Sequence, residues 1–75
     1  MNTKNLHENI MRQKKENRYT HDQVGEALGL KKGGFAVKME RLKNGNTTTV
    51  SCRDIARMIT LFECGADDLM KGVPR

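Results

Sequence analysis

Residues 20–45 read THDQVGEALGLKKGGFAVKMERLKNG, and this stretch decides the fold. Thr20 stands where an N-cap belongs. Gln23, three residues on, completes a capping box in which each side chain satisfies an otherwise unpaired backbone N–H. Tyr19 and Val24 occupy the two positions of a hydrophobic staple around that cap. Val24 and Leu28 share one helical face, and Gly25 between them permits close approach of a second helix. Gly29 falls where a left-handed residue ends a helix, with Leu30 as the apolar residue folded back over the stop. After the turn, Phe35, Met39 and Leu42 recur at helical spacing with Ala36 beside them, which leaves Lys31, Lys32, Val37, Lys38 and Arg41 outside. The pattern predicts a helix-turn-helix over about residues 20–44. Its second helix, 32–43, is basic on the outer face, the arrangement that enters a DNA major groove.

Two features of this stretch carry more than one reading. Inside a helix, each of Gly33 and Gly34 costs roughly 1 kcal/mol against alanine. Either the missing side chains let the helix start approach DNA closely, or the turn is lengthened and the helix begins at Gly34 or Phe35; the second reading is the simpler. Val37 lies among the outer lysines rather than on the core stripe. Scattered surface apolar residues are ordinary, but among groove-facing lysines its methyl groups suit a thymine methyl.

Working outward, Asn5 with Glu8 resembles a cap and N3 pair opening a helix to about Asn17, with Leu6 and Ile10 buried. Arg12, Lys14, Lys15 and Arg18 make its second half basic, which complements the helix dipole and also suits phosphate contacts. His7 reads as a polar surface residue. His21, at the first position of the next helix, is either a solvated ring or a phosphate donor. Asn44-Gly45-Asn46 ends the central helix, and Thr47 to Val50 follows as a polar loop. Ser51 with Asp54 repeats the cap pattern, opening a helix that buries Cys52, Ile55, Ile59 and Phe62, with Ala56 beside them, and ends at Gly65. Ala66 to Lys71 makes a last short helix with Leu69 and Met70 inward, and 72–75 form a loose tail. With no strand pattern or repeat, the expectation for residues 1–75 is a single all-α, five-helix domain.

The net charge of +5 is unevenly spread. Residues 1–45 hold ten Lys and Arg against five acids, whereas 46–75 hold four of each, so the surplus sits in the half that contains the helix-turn-helix. That asymmetry favours an anionic partner. No apolar run approaches the roughly 20 residues a membrane span needs, and the polar N-terminus lacks a signal-peptide core, so a cytoplasmic location is expected. Cys52 and Cys64 would lie about 18 Å apart on one helix, too far to bond, and no further ligands complete a metal site. With no nucleophile–base pair and no phosphate loop, neither an enzyme nor a cofactor, metal or small-molecule ligand is expected.

The chain resembles the phage repressor and Cro class of helix-turn-helix regulators, the wider XRE-like family, from about Leu6 to Met70. The resemblance rests on Ile10 followed nine positions later by Tyr19-Thr20, on VGEALGL, on Met39-Glu40, and on DIARMITLFECGADDLM, which looks like the family's fourth helix, glycine turn and short fifth helix. Two departures stand out. The usual alanine of the second helix is Gly25, and Lys31 to Phe35 is one residue longer than the family's turn when Glu40 takes the family's glutamate position. The resemblance implies a compact domain of the lambda-repressor-like type acting as a DNA-binding transcription regulator. The natural form is a small phage or mobile-element repressor, cytoplasmic at the nucleoid, binding a palindromic operator as a homodimer. It also implies that Glu40 pairs inward with Lys14, and that His21 stands where the family often has a phosphate-contacting glutamine. A protein-interaction module, such as an antitoxin that neutralises a partner and autoregulates its operon, is the competing class.

Setting Phe35, Met39 and Leu42 toward the core places Val37, Lys38 and Arg41 in one sector about 100° wide or somewhat more. Lys32, Val37 and Lys38 are assigned to base edges, Arg41 to a guanine or the backbone, and Lys31 and Lys43 to phosphates. Thr20, His21, Gly33, Gly34 and Asn44 complete the expected double-stranded DNA surface. The C-terminal helices, farthest in sequence from the basic half, are the expected homodimer contact.

Overall fold

Five helices follow one another in the computed structural model, which describes residues 3–46 and 48–72. They are α1 (Thr3–Glu16), α2 (His21–Ala27), α3 (Gly34–Lys43), α4 (Cys52–Phe62) and α5 (Ala66–Met70). The all-α expectation holds. Thr47 of the expected polar loop and residues 73–75 of the expected tail lie outside the described residues.

The core draws on every helix. Leu6 and Ile10 of α1, Val24 of α2, Phe35, Met39 and Leu42 of α3, Met58 and Phe62 of α4, and Leu69 of α5 are buried together with Leu28. α3 packs against both α1 and α2, so its inner face is covered from two sides and its outer face is fixed as a consequence. Tyr19 closes one edge, its ring 6.0 Å from that of Phe62 and its hydroxyl donating to the Leu61 carbonyl at 3.4 Å.

The capping boxes at Thr20 and Ser51 form as the sequence predicts. Thr20 Oγ1 accepts Gln23 N–H at 3.1 Å while Thr20 N–H donates to Gln23 Oε1 at 2.8 Å. Ser51 and Asp54 exchange the same two bonds at 3.2 and 3.1 Å. The expected cap at Asn5 does not form, because α1 already begins at Thr3 and Asn5 lies inside it. Its amide donates instead to the Gly72 carbonyl at 2.8 Å, so Gly72 is tied down rather than loose. Buried Asn9 does the same one turn on, donating to the carbonyls of Leu69 and Lys71, both at 2.8 Å. These bonds satisfy orphan carbonyls at the end of α5, which a short helix cannot satisfy itself.

The helix-turn-helix depends on close backbone approach. A Cβ built on Gly25 would lie 3.3 Å from Phe35 Cβ, so α2 and α3 approach closely at this point. The double glycine has two separate causes. Gly33, the residue before α3, has φ +82°, a left-handed conformation that a side chain disfavours. Gly34 is needed for room, since a Cβ there would meet Leu30 Cβ at 3.1 Å. The lengthened-turn reading is correct, and the helix spans 34–43 rather than 32–43.

Three other expectations change. Ala36 and Ala56 are exposed rather than beside the core. In α4 the buried stripe is Met58 and Phe62, flanked by half-buried Ile55 and Ile59, and Cys52 is exposed at the first helical position. α4 also stops at Phe62, not at Gly65, which instead opens α5 by donating its N–H to Asp68 Oδ2 at 2.8 Å.

The stops share one chemistry. At the ends of α1, α2 and α3, Arg18, Gly29 and Gly45 adopt positive φ, and the next residue's N–H reaches back to Lys14, Gly25 and Arg41 carbonyls at 3.1, 2.8 and 2.9 Å. Glu63 does the same after α4, with φ 52° and Cys64 N–H reaching Ile59 at 3.3 Å. A left-handed non-glycine residue costs roughly 1–2 kcal/mol, and a carboxylate at a helix C-terminus opposes the dipole. Glycine regains both but loses about 0.5–1 kcal/mol to unfolded-state entropy. Glu63→Gly is therefore expected to raise stability by about 0.5–1 kcal/mol in urea unfolding. A lower midpoint would show that Glu63 makes a stabilising contact of its own.

Candidate nucleic-acid interface

α3 presents its outer face because Phe35, Met39 and Leu42 point inward. Ala36, Val37, Glu40, Arg41, Lys43 and Asn44 are exposed on it, and Lys31 to Gly33 continue the exposed strip into the preceding turn. Val37 is 51% exposed, the one large hydrophobic side chain so exposed among the described residues.

The expected site residues fall into different situations. Lys31, Lys32, Arg41 and Lys43 are exposed basic side chains around α3. Gly33 caps α3 without a side-chain hydrogen bond. Thr20 and His21 lie across the turn at the start of α2, and the His21 ring sits 5.3 Å from that of Phe35, on the outer edge of the α2–α3 contact. Asn44 caps α3 at the other end, its amide 3.4 Å from Glu40 Oε1. Lys31 and Lys32, expected at the helix start, belong to the turn.

Lys38 departs most from expectation. Its ammonium lies 3.3 Å from Asp54 Oδ2 and donates to the Thr49 carbonyl, with the Lys38 and Asp54 side chains only 22% and 12% exposed. Asp54 Oδ2 also accepts the Ser51 N–H, so one carboxylate caps α4 and holds α3. Lys38 is therefore a strut between α3, the following loop and α4, not a side chain reaching outward. Nothing in the sequence flags Thr49 or Asp54 as its partners, because the pairing depends on the path of the loop.

The expected Lys14–Glu40 ion pair is absent; Glu40 faces Asn44 instead. His7 of α1 is half-buried rather than simply on the surface. Burial, then the nearby Lys43 ammonium, holds its pKa below the usual histidine value, with Glu8 and Glu40 opposing. At the other end of α2, Arg57 Nη1 donates to the Leu28 carbonyl at 3.0 Å, adding a positive charge to the negative end of that helix.

Among the described residues, no group of three or more His, Cys, Asp or Glu could hold a metal, and no helix is long and apolar enough to cross a membrane. Both cysteines are free thiols. Burial, then Asp68, raises the pKa of Cys64.

The strut is open to test. Lys38→Met keeps the aliphatic stem but leaves the Thr49 carbonyl and Asp54 without their cation. It is expected to lower stability by about 1–3 kcal/mol, while Lys43→Met stays within about 0.5 kcal/mol. Equal losses for the two variants in denaturant unfolding would remove the distinction drawn here.

No protein-family model matches this chain, and no curated protein or solved structure does so either.

Proposed function

We propose that this chain is a sequence-specific DNA-binding regulator that reads the major groove through α3. The observation that carries the reading is the exposed face of the second helix of the helix-turn-helix. It holds Arg41 and Lys43, with Lys31 and Lys32 in the turn before it, and lies in the half of the chain that carries all the surplus positive charge. Such a face meets phosphates on both sides of a groove while the helix between them reaches base edges. The resemblance to phage repressor and Cro-like regulators points the same way and suggests a repressor of phage or mobile-element type.

Within this reading the assignments are revised by the geometry. Arg41 and Val37 take the base edges, with Lys32 reaching in from the turn, and Lys31 and Lys43 take phosphates. Lys38 acts through the position of α3 and not by touching DNA. Thr20 and His21, at the start of α2, face the backbone from the other side of the turn.

One copy reads one groove. The Cα trace is 29 Å in its longest extent, shorter than the roughly 34–36 Å between successive major-groove half-sites on one side of the duplex. High specificity then calls for two copies on a palindromic site, each with its own α3, and the C-terminal helices are the proposed contact.

Selection from a random duplex library, followed by footprinting, tests the whole reading. The expected product is a palindrome with two protected half-sites about one helical turn apart. A single asymmetric half-site at saturating protein would reject the dimer. A chain that ignores heparin and co-purifies with a tight protein partner would favour the interaction-module class instead.

Arginine forks onto guanine, whereas a lysine on phosphate reads no sequence. Arg41→Ala is expected to cost about 1–3 kcal/mol on the selected site and to relax preference at one or two positions. Lys43→Ala should weaken all sequences alike and reduce the salt slope by about one. Interchanged behaviour of the two variants in a full base-preference measurement would show that α3 is rotated from the register described.

A further inference from the structure

The first turn of α3, Gly34 to Val37, carries no hydrogen-bonding side chain. Gly33 and Gly34 have no side chain, Ala36 is an exposed methyl, and Val37 is 51% exposed. Lys38, the next residue, would ordinarily wrap its flexible stem over such a patch. It is held away, because its ammonium is committed to Asp54 and to the Thr49 carbonyl. Phe35 is fully buried and contributes nothing outward. What remains is an apolar patch of Ala36 and Val37 on the exposed face that also carries Arg41 and the Glu40 carboxylate, the latter turned toward Asn44.

The DNA-binding reading says what covers the patch. An apolar patch on the half of the chain that carries the surplus positive charge complements a surface with anionic edges and apolar groups between them. The major groove is such a surface where pyrimidines display the C5 methyl, since phosphates flank it on both sides. Thymine carries that methyl, and so does 5-methylcytosine; cytosine and uracil do not. Polar side chains distinguish these bases through the exocyclic groups, but an aliphatic patch distinguishes only the presence of the methyl.

We propose that Ala36 and Val37 form a site for a pyrimidine C5 methyl group, so that this chain's binding responds to cytosine methylation as well as to base identity. The inference rests on the DNA-binding reading above and names the ligand group of its α3 face. Burying one methyl is worth about 0.8 kcal/mol, so its removal is expected to weaken binding about fourfold per half-site.

The test begins from a duplex obtained by library selection with the intact chain. Each thymine is replaced in turn by uracil, which removes the methyl and leaves the pairing unchanged. One position in each half-site is expected to lose about fourfold in affinity, with the rest unaffected. At that position, 5-methylcytosine paired with guanine is expected to bind more tightly than unmodified cytosine paired with guanine. Val37→Ala, at an exposed site whose loss should leave the melt unchanged, is expected to bind the thymine site more weakly and to become indifferent to uracil.

The outcomes separate cleanly. A chain that selects a defined site but tolerates uracil at every position overturns this inference alone. So does an unchanged uracil effect in the Val37→Ala protein. A chain that selects no sequence at all overturns the DNA-binding reading and this inference with it.

Discussion

Everything outward-facing in this protein depends on how closely α2 and α3 approach. The Phe35 side chain packs where Gly25 has no Cβ, and Gly34 clears Leu30 by the same device. With the spacing set by backbone, the angle between the two helices is not free to drift, since interiors are packed too tightly to accommodate an added methyl without movement. The direction of α3 in turn fixes which side chains are buried under α1 and which stay exposed. Gly33 supplies the left-handed step that lets the chain leave the turn at that angle. These three glycines thus set the geometry of the exposed α3 face without contributing side chains to it.

Local signals were readable in the sequence because their partners lie three or four residues away. The boxes at Thr20 and Ser51, the Gly29 and Gly45 stops and the Phe35–Met39–Leu42 stripe all follow from i, i+3 and i, i+4 rules, and all are present. Asn5 shows the limit. As a sequence it makes a good cap, but its amide meets Gly72, 67 residues away, and α1 extends past it. α4 was misphased for a related reason: Cys52, Ala56 and Met58 are all compatible with burial, and only docking on α2 and α5 decides that Met58 goes in. Its stop at Glu63 carries no glycine to announce it.

The exposed basic face of α3 was legible as a face but not residue by residue. Charge asymmetry and periodicity locate Lys31, Lys32, Val37, Arg41 and Lys43 on the outside, and the structure keeps them there. Periodicity alone also puts Lys38 on that face. What removes it is a tertiary pair with Asp54, which lies 16 residues on and already serves as a cap. A long flexible side chain goes where its charge is best satisfied, and helical phase does not record that. The expected Lys14–Glu40 pair does not form either; Glu40 meets the amide of Asn44, four residues on, instead.

The amides of Asn5 and Asn9 join the two ends of the described chain, and that has a kinetic side. α1 is made first, yet its buried Asn9 finds its acceptors only when residues 69 to 71 arrive. Contacts of such sequence separation require closing nearly the whole chain into a loop, and they slow folding relative to neighbouring-helix contacts. α2 and α3, joined by a short turn, have no such wait. The Asn9 amide is therefore satisfied only once α5 is in place, whereas α2 and α3 meet across a short turn. Until α5 docks, the Asn9 amide is without the Leu69 and Lys71 carbonyls that hold it in the finished fold.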